Sequence, residues 1–321
     1  MSKKYAIGVD LGGTHISAAL VDKSGKTGKI MECDIAPEER GVNNVLDKMA
    51  GLVNKVISEE HINREEIFGV GIDLPGFIDT INGICYFSPN FPGWDNIKVS
   101  SILEDSIKLP VVILNDVNAA ALGEKFFGAG KYVNNIICMT LGTGIGGGII
   151  INNNLYLGAS QGAGEIGHTT IDPDGPLCGC GNRGCFEALV ARGAIIRTAR
   201  EFIEKNKNTL LAEIKDLSPL SVFEAAEKGD EVAIEIFKKI GTYLGIGLST
   251  LILILNPDKI VIGGRIANAH KYLFPPAYEE IKKRVKMFPP ESTQIVLAEL
   301  GAQAGLIGAA VYVFQKMCDD F

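Results

Sequence analysis

Residues 4–22 hold two short apolar runs separated by glycines. "KYAIGVD" reads as a strand, "LGGT" as a tight turn and "HISAALVD" as a returning strand, which predicts a hairpin rather than a strand-to-helix crossover. Over residues 42–60 the period changes. Val45, Leu46, Met49, Leu52, Val53 and Val56 recur at helical spacing and predict one buried helix face. "IFGVGIDLPGFID" reads as a strand ending in a Pro-Gly turn, and "PVVILND" as a buried strand. "VNAAALGEKFFGAG" reads as an alanine-rich helix closed by glycine. At 134–153, "NNIICMTLGTGIGGGIIINN" repeats the strand, glycine tip and strand, about 130 residues after the first. Two such units predict two related α/β domains facing a cleft. Helices follow over about 188–255, then a strand at 259–264, a last strand at 294–301 and a terminal helix, "GLIGAAVYVFQKM".

Composition narrows the class. The chain has 321 residues, 46% hydrophobic and 21% charged, with a formal net charge of −7. That is room for about two globular domains. An acidic chain without a Lys/Arg run has no electrostatic footprint for nucleic acid or an anionic membrane. The uncharged stretch at 240–257 has the length of a membrane span. It carries three glycines, two threonines and a serine, and the charged amphipathic segment "DEVAIEIFKK" leads into it, so a buried core helix is expected. The first apolar run breaks at Asp10, too soon for an export signal, so a cytoplasmic protein is expected. Seven cysteines in a reducing compartment do not make a disulfide framework.

Glycine-rich tips aim backbone N–H groups inward and make anion-binding nests. Two of them could grip a polyphosphate; each alone could be only a tight turn. "GTGIGG" at 142–147 matches a dinucleotide fingerprint literally, but a strand follows it instead of a helix, so a nicotinamide cofactor is not expected. No P-loop motif occurs. In "IVIGGRI", a flat ring could lie against Gly263 and Gly264, although strand–Gly-Gly turns are common structural devices.

His168, Cys178, Cys180 and Cys185 form a Cys3His set with glycines between the cysteines. Such a set suits tetrahedral Zn²⁺, and four protein ligands leave no open position for catalytic water, so the metal would be structural. The alternative is free buried thiols, or a disulfide between Cys180 and Cys185. Cys33, Cys85, Cys138 and Cys318 lie outside the spacing and read as small apolar residues. Among polar residues, Asp116 follows a buried strand and precedes a helix. It is either an N-cap or a base for a substrate hydroxyl. Asn90 sits in a Pro-rich loop, Glu165 between glycines, and Glu187 at the start of the helix "FEALVARGAI".

"DLGGT", "LNDVNAAALGE", "LGTGIGGG", "GAGEIGH" and "CGCGNRGCFE" together resemble the ROK family (repressors, open reading frames and sugar kinases), and within it the bacterial ATP-dependent glucokinases. The likeness runs from residue 5 to about 310. It implies a two-lobed actin/hexokinase-like (ribonuclease H-like) α/β fold with a central nucleotide and sugar cleft. Residues 1–117 with 301–321 would form the small lobe, and 118–300 the larger lobe with the zinc loop. The implied activity is ATP-dependent phosphorylation of glucose to glucose 6-phosphate, with Asp116 as base. Gly76, Asn90, Asn115, Glu165, His168 and Glu187 would contact the sugar. Asp10 would help place Mg²⁺. Gly12, Gly13 and Thr14, with Gly142, Thr143 and Gly144, would hold phosphates, and Gly263 and Gly264 would lie by the adenosine. His168 would bind zinc through one ring nitrogen and sugar through the other. His15 departs from the family, where Lys or Asn is common. N-acetylmannosamine, fructose, mannose or allose remain alternative substrates, as does polyphosphate as donor, although polyphosphate users generally lack the cysteines. A sugar-sensing regulator is the rival of another class; its helix-turn-helix would need room ahead of a first strand that begins at residue 4. A homodimer is the family expectation.

Overall fold

The glycine-tipped hairpin forms where the pattern places it, and the rest of the architecture follows from it. The computed structural model describes residues 3–205, 208–318 and Phe321. In chain order the elements are β1 (Tyr5–Leu11), β2 (His15–Asp22), β3 (Met31–Asp34), α1 (Val42–Glu59), β4 (Ile67–Leu74), β5 (Phe77–Asp79), β6 (Ile84–Phe87), β7 (Asp95–Ile97), α2 (Val99–Ile107), β8 (Val111–Asn115) and α3 (Asp116–Phe127). There follow β9 (Ile136–Leu141), β10 (Ile145–Ile151), β11 (Asn154–Leu155), α4 (Phe186–Val190), α5 (Arg192–Lys205), α6 (Pro219–Glu227), α7 (Glu231–Leu255), β12 (Lys259–Gly263), α8 (His270–Arg284), β13 (Gln294–Leu297) and α9 (Ala304–Met317).

Two five-stranded sheets have matching orders, β3-β2-β1-β4-β8 and β11-β10-β9-β12-β13. In each, a glycine-tipped pair supplies the centre and its neighbour, so the sequence repeat at 134–153 is a repeat of sheet topology. β1 pairs with β2 antiparallel and with β4 parallel, and β4 pairs with β8 parallel. β5, β6 and β7 make a third, antiparallel sheet. Contacts divide the chain into two units. The first is Met1–Cys138 with Gly148–Ala163 and Ala298–Phe321; the second is Met139–Gly147 with Gly164–Leu297. α3 falls in the first unit, on the other side of the boundary expected at 117/118.

The reason lies in the packing of α3 against α9. A Cβ on Gly308 would run into the carbonyl of Ala119, and one on Gly123 into that of Ala304. Glu124, fully buried, accepts the backbone N–H groups of Ala129, Glu299 and Leu300 at 2.9, 3.1 and 2.8 Å, tying the end of α3 to the segment before α9. Gly308→Ala is therefore expected to destabilise the protein by about 2 kcal/mol through overpacking, read by urea unfolding.

All six residues of the predicted α1 face are buried. The apolar stretch at 240–257 lies mostly in α7, the one described helix long and apolar enough to cross a membrane. Leu244, Leu248 and Ile252 on it are fully buried, and Gly241 and Gly245 let α8 approach closely, as a core helix requires. Two expected elements differ. "FEALVARGAI" is not one helix: Ala191 is extended and separates α4 from α5. The last strand stops at Leu297, four residues early, and a 3-10 turn at Gly301–Gln303 follows before α9.

Candidate active site

In the first unit three carboxylates gather at the carboxyl ends of parallel strands. Asp10 is the last residue but one of β1, beside the tip, and the pairing register sets it opposite Asp73 of β4. Leu74 of β4 stands opposite Asn115 of β8, and Asp116 opens α3 directly after it. Asp116 is not the cap of that helix. Asn115 is: its side chain accepts from the N–H groups of Val117 and Asn118 at 3.0 and 3.3 Å. With the cap supplied by its neighbour, Asp116 is left available for chemistry. Burial, with the charge of Asp10 adding to it, pushes Asp116 up to about 6, against a hydrogen bond from Val117 N. Asp73 is fully buried and both its oxygens lack a hydrogen-bond partner. None of the three carboxylates takes part in an ion pair among the described residues.

Other expected residues of this unit lie in the same region. Asn115 Nδ2 donates to the carbonyl of Gly76 at 3.1 Å. The tip is closed by Gly12 N donating to the carbonyl of His15 at 3.0 Å, and Thr14 Oγ1 lies 3.3 Å from His15 Nδ1. Gly13 faces Asn90, whose Nδ2 would stand 3.9 Å from a Cβ there.

In the second unit the tip Gly142–Thr143–Gly144 is closed by Gly142 N donating to the carbonyl of Gly144 at 3.0 Å. Glu187 stands under it: Oε2 accepts Ile145 N at 2.9 Å, and Oε1 lies 3.9 Å from Cys178 Sγ. One carboxylate thus joins the glycine tip to the cysteine cluster. His168 Nδ1 lies 3.7 Å from Cys178 Sγ, while its Nε2 points towards Glu165, 3.9 Å from Oε2.

The donor atoms of His168, Cys178, Cys180 and Cys185 lie within 4.8 Å of one another. Cys180 Sγ and Cys185 Sγ are 3.7 Å apart and all seven cysteines are free, so the disulfide alternative does not hold. A tetrahedral ion with metal–sulfur bonds of about 2.3 Å sets its sulfurs about 3.8 Å apart. The residues therefore fit such a metal. The backbone is shaped for it: Gly184 has φ 65°, and a Cβ there would collide with the carbonyl of Asp172. The amide of Asn182 draws the Cys180 thiol below its ordinary range, whereas burial raises Cys185.

A cavity of about 750 Å³ opens beside Gly142 and Thr143, lined also by Arg192, Ser218, Leu220, Phe223, Phe237, Arg265 and Ile266. Gly263 and Gly264, expected by the adenosine, are not on its wall. Gly264 has φ 87° and packs on Leu141, and Arg265 and Ile266, which follow it directly, line the cavity. The aromatic and arginine residues of this wall went unnoticed in the sequence because they sit on ordinary amphipathic helices and turns. Asp73 went unnoticed inside an apolar strand.

Mixed α/β sheets of this order, with carboxylates at the strand ends and paired glycine tips, define a hexokinase-like fold. A solved ROK family glucokinase from Streptomyces griseus, in complex with glucose and AMPPNP, superposes with a TM-score of 0.78 at 33% identity, covering 97% of this chain and 99% of that one. The family model described as "ROK family" matches residues 6–316, and the chain belongs to that family. Among curated proteins, a glucokinase of Halalkalibacterium halodurans is 36% identical over 98% of this chain and 97% of its own. A xylose repressor of Bacillus spizizenii is 34% identical over 98% of this chain and 78% of its own.

Proposed function

We propose that this protein is a hexokinase-type sugar kinase that transfers the terminal phosphate of ATP to glucose, giving glucose 6-phosphate. The observation that carries the reading is Asp116. It is a carboxylate at the end of a buried strand, relieved of capping by Asn115 and raised to about 6, near the working range of a general base. Its carboxylate takes the proton of the sugar hydroxyl as the hydroxyl oxygen attacks the terminal phosphorus, whose bond to the bridging oxygen breaks to release ADP. The proposed sugar ligands are Asn90, Asn115 and Gly76, together with Glu165, His168 and Glu187. Polar side chains that pair with sugar hydroxyls enforce selectivity, because a sugar lacking one leaves them unpaired.

Phosphoryl transfer needs positioning and charge neutralisation more than covalent help. Gly12 and Gly142 spend their N–H groups on closing the two tips, so the phosphates would be held by the backbone N–H groups of Gly13 and Thr14, and of Thr143 and Gly144. Asp10 would hold Mg²⁺, which supplies neutralisation of phosphate charge. The cavity suits a nucleoside: apolar and aromatic walls for a base, and two guanidiniums for an anion. Arg265→Ala is expected to raise the KM for ATP by roughly tenfold with little change in kcat, the loss of one charge-assisted contact. Steady-state kinetics at saturating glucose reads this directly. Zn²⁺ held by His168 Nδ1 and the three thiolates would leave Nε2 free on the Glu165 side, so the metal would orient a sugar ligand without touching the sugar.

The likeness to a xylose repressor motivates a second reading, a sugar-sensing regulator. Phosphorylation assays with ATP across glucose, mannose, fructose, N-acetylglucosamine and N-acetylmannosamine separate the two. Turnover dominated by glucose supports the proposal. Turnover of another hexose keeps the mechanism and replaces the substrate. Sugar binding without turnover favours the sensor.

A further inference from the structure

Resting on the reading of Gly142–Thr143–Gly144 as a phosphate tip and of the cavity beside it as the place of the nucleoside, we propose that Arg192 is a further catalytic residue. Its guanidinium pairs with the β-phosphate of ATP and stabilises the charge that gathers there as ADP leaves.

Arg192 is the first residue of α5, which runs for 14 residues. Ala191 before it is extended and ends α4, so a new helix starts at this point. That start is fastened to the tip, because Arg192 N donates to the carbonyl of Gly142 at 3.1 Å. Gly142 is itself fixed by donating its N–H to the carbonyl of Gly144 at 3.0 Å. Arg192, Gly142 and Thr143 line the same cavity. The guanidinium is therefore on the wall that also carries the tip.

Its electrostatic setting calls for an anion. A helix N-terminus carries a partial positive charge, and a cation in the first turn is unfavourable there. The first turn of α5 holds no carboxylate. Arg192 is exposed and makes no ion pair among the described residues. A polyphosphate at the tip would offset both the side chain and the helix end. Arg265, the other guanidinium of the cavity, has a different place. It opens the turn Arg265–Ala269, whose Ile266 and Asn268 also line the wall.

The chemistry gives the tip-bound cation its task. As the sugar oxygen bonds to the terminal phosphorus, the bond from that phosphorus to the bridging oxygen breaks, and its electron pair stays on ADP. Charge on the β-phosphate therefore grows in the transition state, and a guanidinium already in place there lowers the barrier.

The test uses the full-length chain with Arg192→Ala and Arg192→Lys. Calorimetric titration with ADP and with AMP, in Mg²⁺ and without sugar, reads the phosphate contact without turnover. Arg192→Ala is expected to weaken ADP binding by about tenfold, the loss of a charged hydrogen bond, and to leave AMP binding unchanged. In turnover with glucose its kcat should fall by about a hundredfold, whereas Arg265→Ala moves KM. Arg192→Lys should recover part of both losses, because it returns the charge without the planar fork. Without nucleotide, Arg192→Ala should melt no lower than the wild type, since it removes a cation from a helix N-terminus. Unchanged ADP binding or unchanged kcat in Arg192→Ala overturns the proposal, as does a wild type that binds no ADP. Equal weakening of ADP and AMP would place Arg192 on the nucleoside, and a lower melting temperature would make it structural; either result also overturns it. If the wild type binds ADP but phosphorylates no sugar, the kinase reading fails while the two titrations still decide whether Arg192 holds the β-phosphate.

Discussion

Asp116→Asn is expected to lower kcat by about a thousandfold while sugar binding persists, the range a lost general base produces. The asparagine keeps the shape and the hydrogen-bonding edge, so the sugar keeps its neighbours. It cannot take a proton, so the attacking oxygen stays a weak nucleophile. A fall in kcat without a matching rise in sugar KM distinguishes this from lost binding. The pH dependence carries the same signature. Asp116 is raised to about 6 by burial and by Asp10, so kcat/KM should fall as pH drops through that value. Stability runs the other way. A carboxyl raised in the folded state contributes its full stability below its unfolded value of about 3.9 and loses it as pH rises through the folded one. Asp116→Asn should therefore gain stability relative to the wild type between about pH 4 and 6, with a flat difference above. Thermal melts at several pH values check the sign.

Cys180→Ser is expected to abolish a bound equivalent of zinc and to raise the sugar KM by at least about tenfold. Cys180 is the exposed member of the cluster, so the substitution itself costs little packing. What it would remove is one of four candidate donors that lie within 4.8 Å of one another, the others being on His168, Cys178 and Cys185. Without the ion, nothing holds His168 Nδ1, and its Nε2 is no longer fixed on the Glu165 side. Glu187, which spans from the glycine tip to Cys178, should loosen with it. Metal analysis, sugar KM and the melting temperature should therefore change together. Unchanged zinc content would remove the ligand assignment, and lost zinc with an unchanged KM would detach the metal from the sugar site.

The parts of the fold legible in the sequence are those with local causes. The glycine-tipped hairpins, the α1 face and the His–Cys cluster each announce themselves within a few residues or one periodic run. Asp116 is legible as a polar residue between a strand and a helix, but the cap is Asn115, which takes the extended conformation that a cap needs; that depends on backbone angles the sequence does not display. The β5–β7 sheet was not legible, because strands of three or four residues with exposed Phe77 and Phe87 show no clean alternation. α8 was hidden by Pro275 and Pro276, which lie within it. The cavity wall was assembled from α5, α6, α7 and the turn after β12, a grouping that no local pattern encodes. Asp73 gives a signal in retrospect: a lone carboxylate among eight buried strand residues is out of place without a partner.

The most direct measurement is glucose 6-phosphate formed from ATP and glucose by the purified full-length chain, with Asp116→Asn alongside. The account predicts turnover of about 1 per second or faster for the wild type and almost none for the variant, with glucose bound by both. Glucose bound by the wild type without any product from ATP would contradict it.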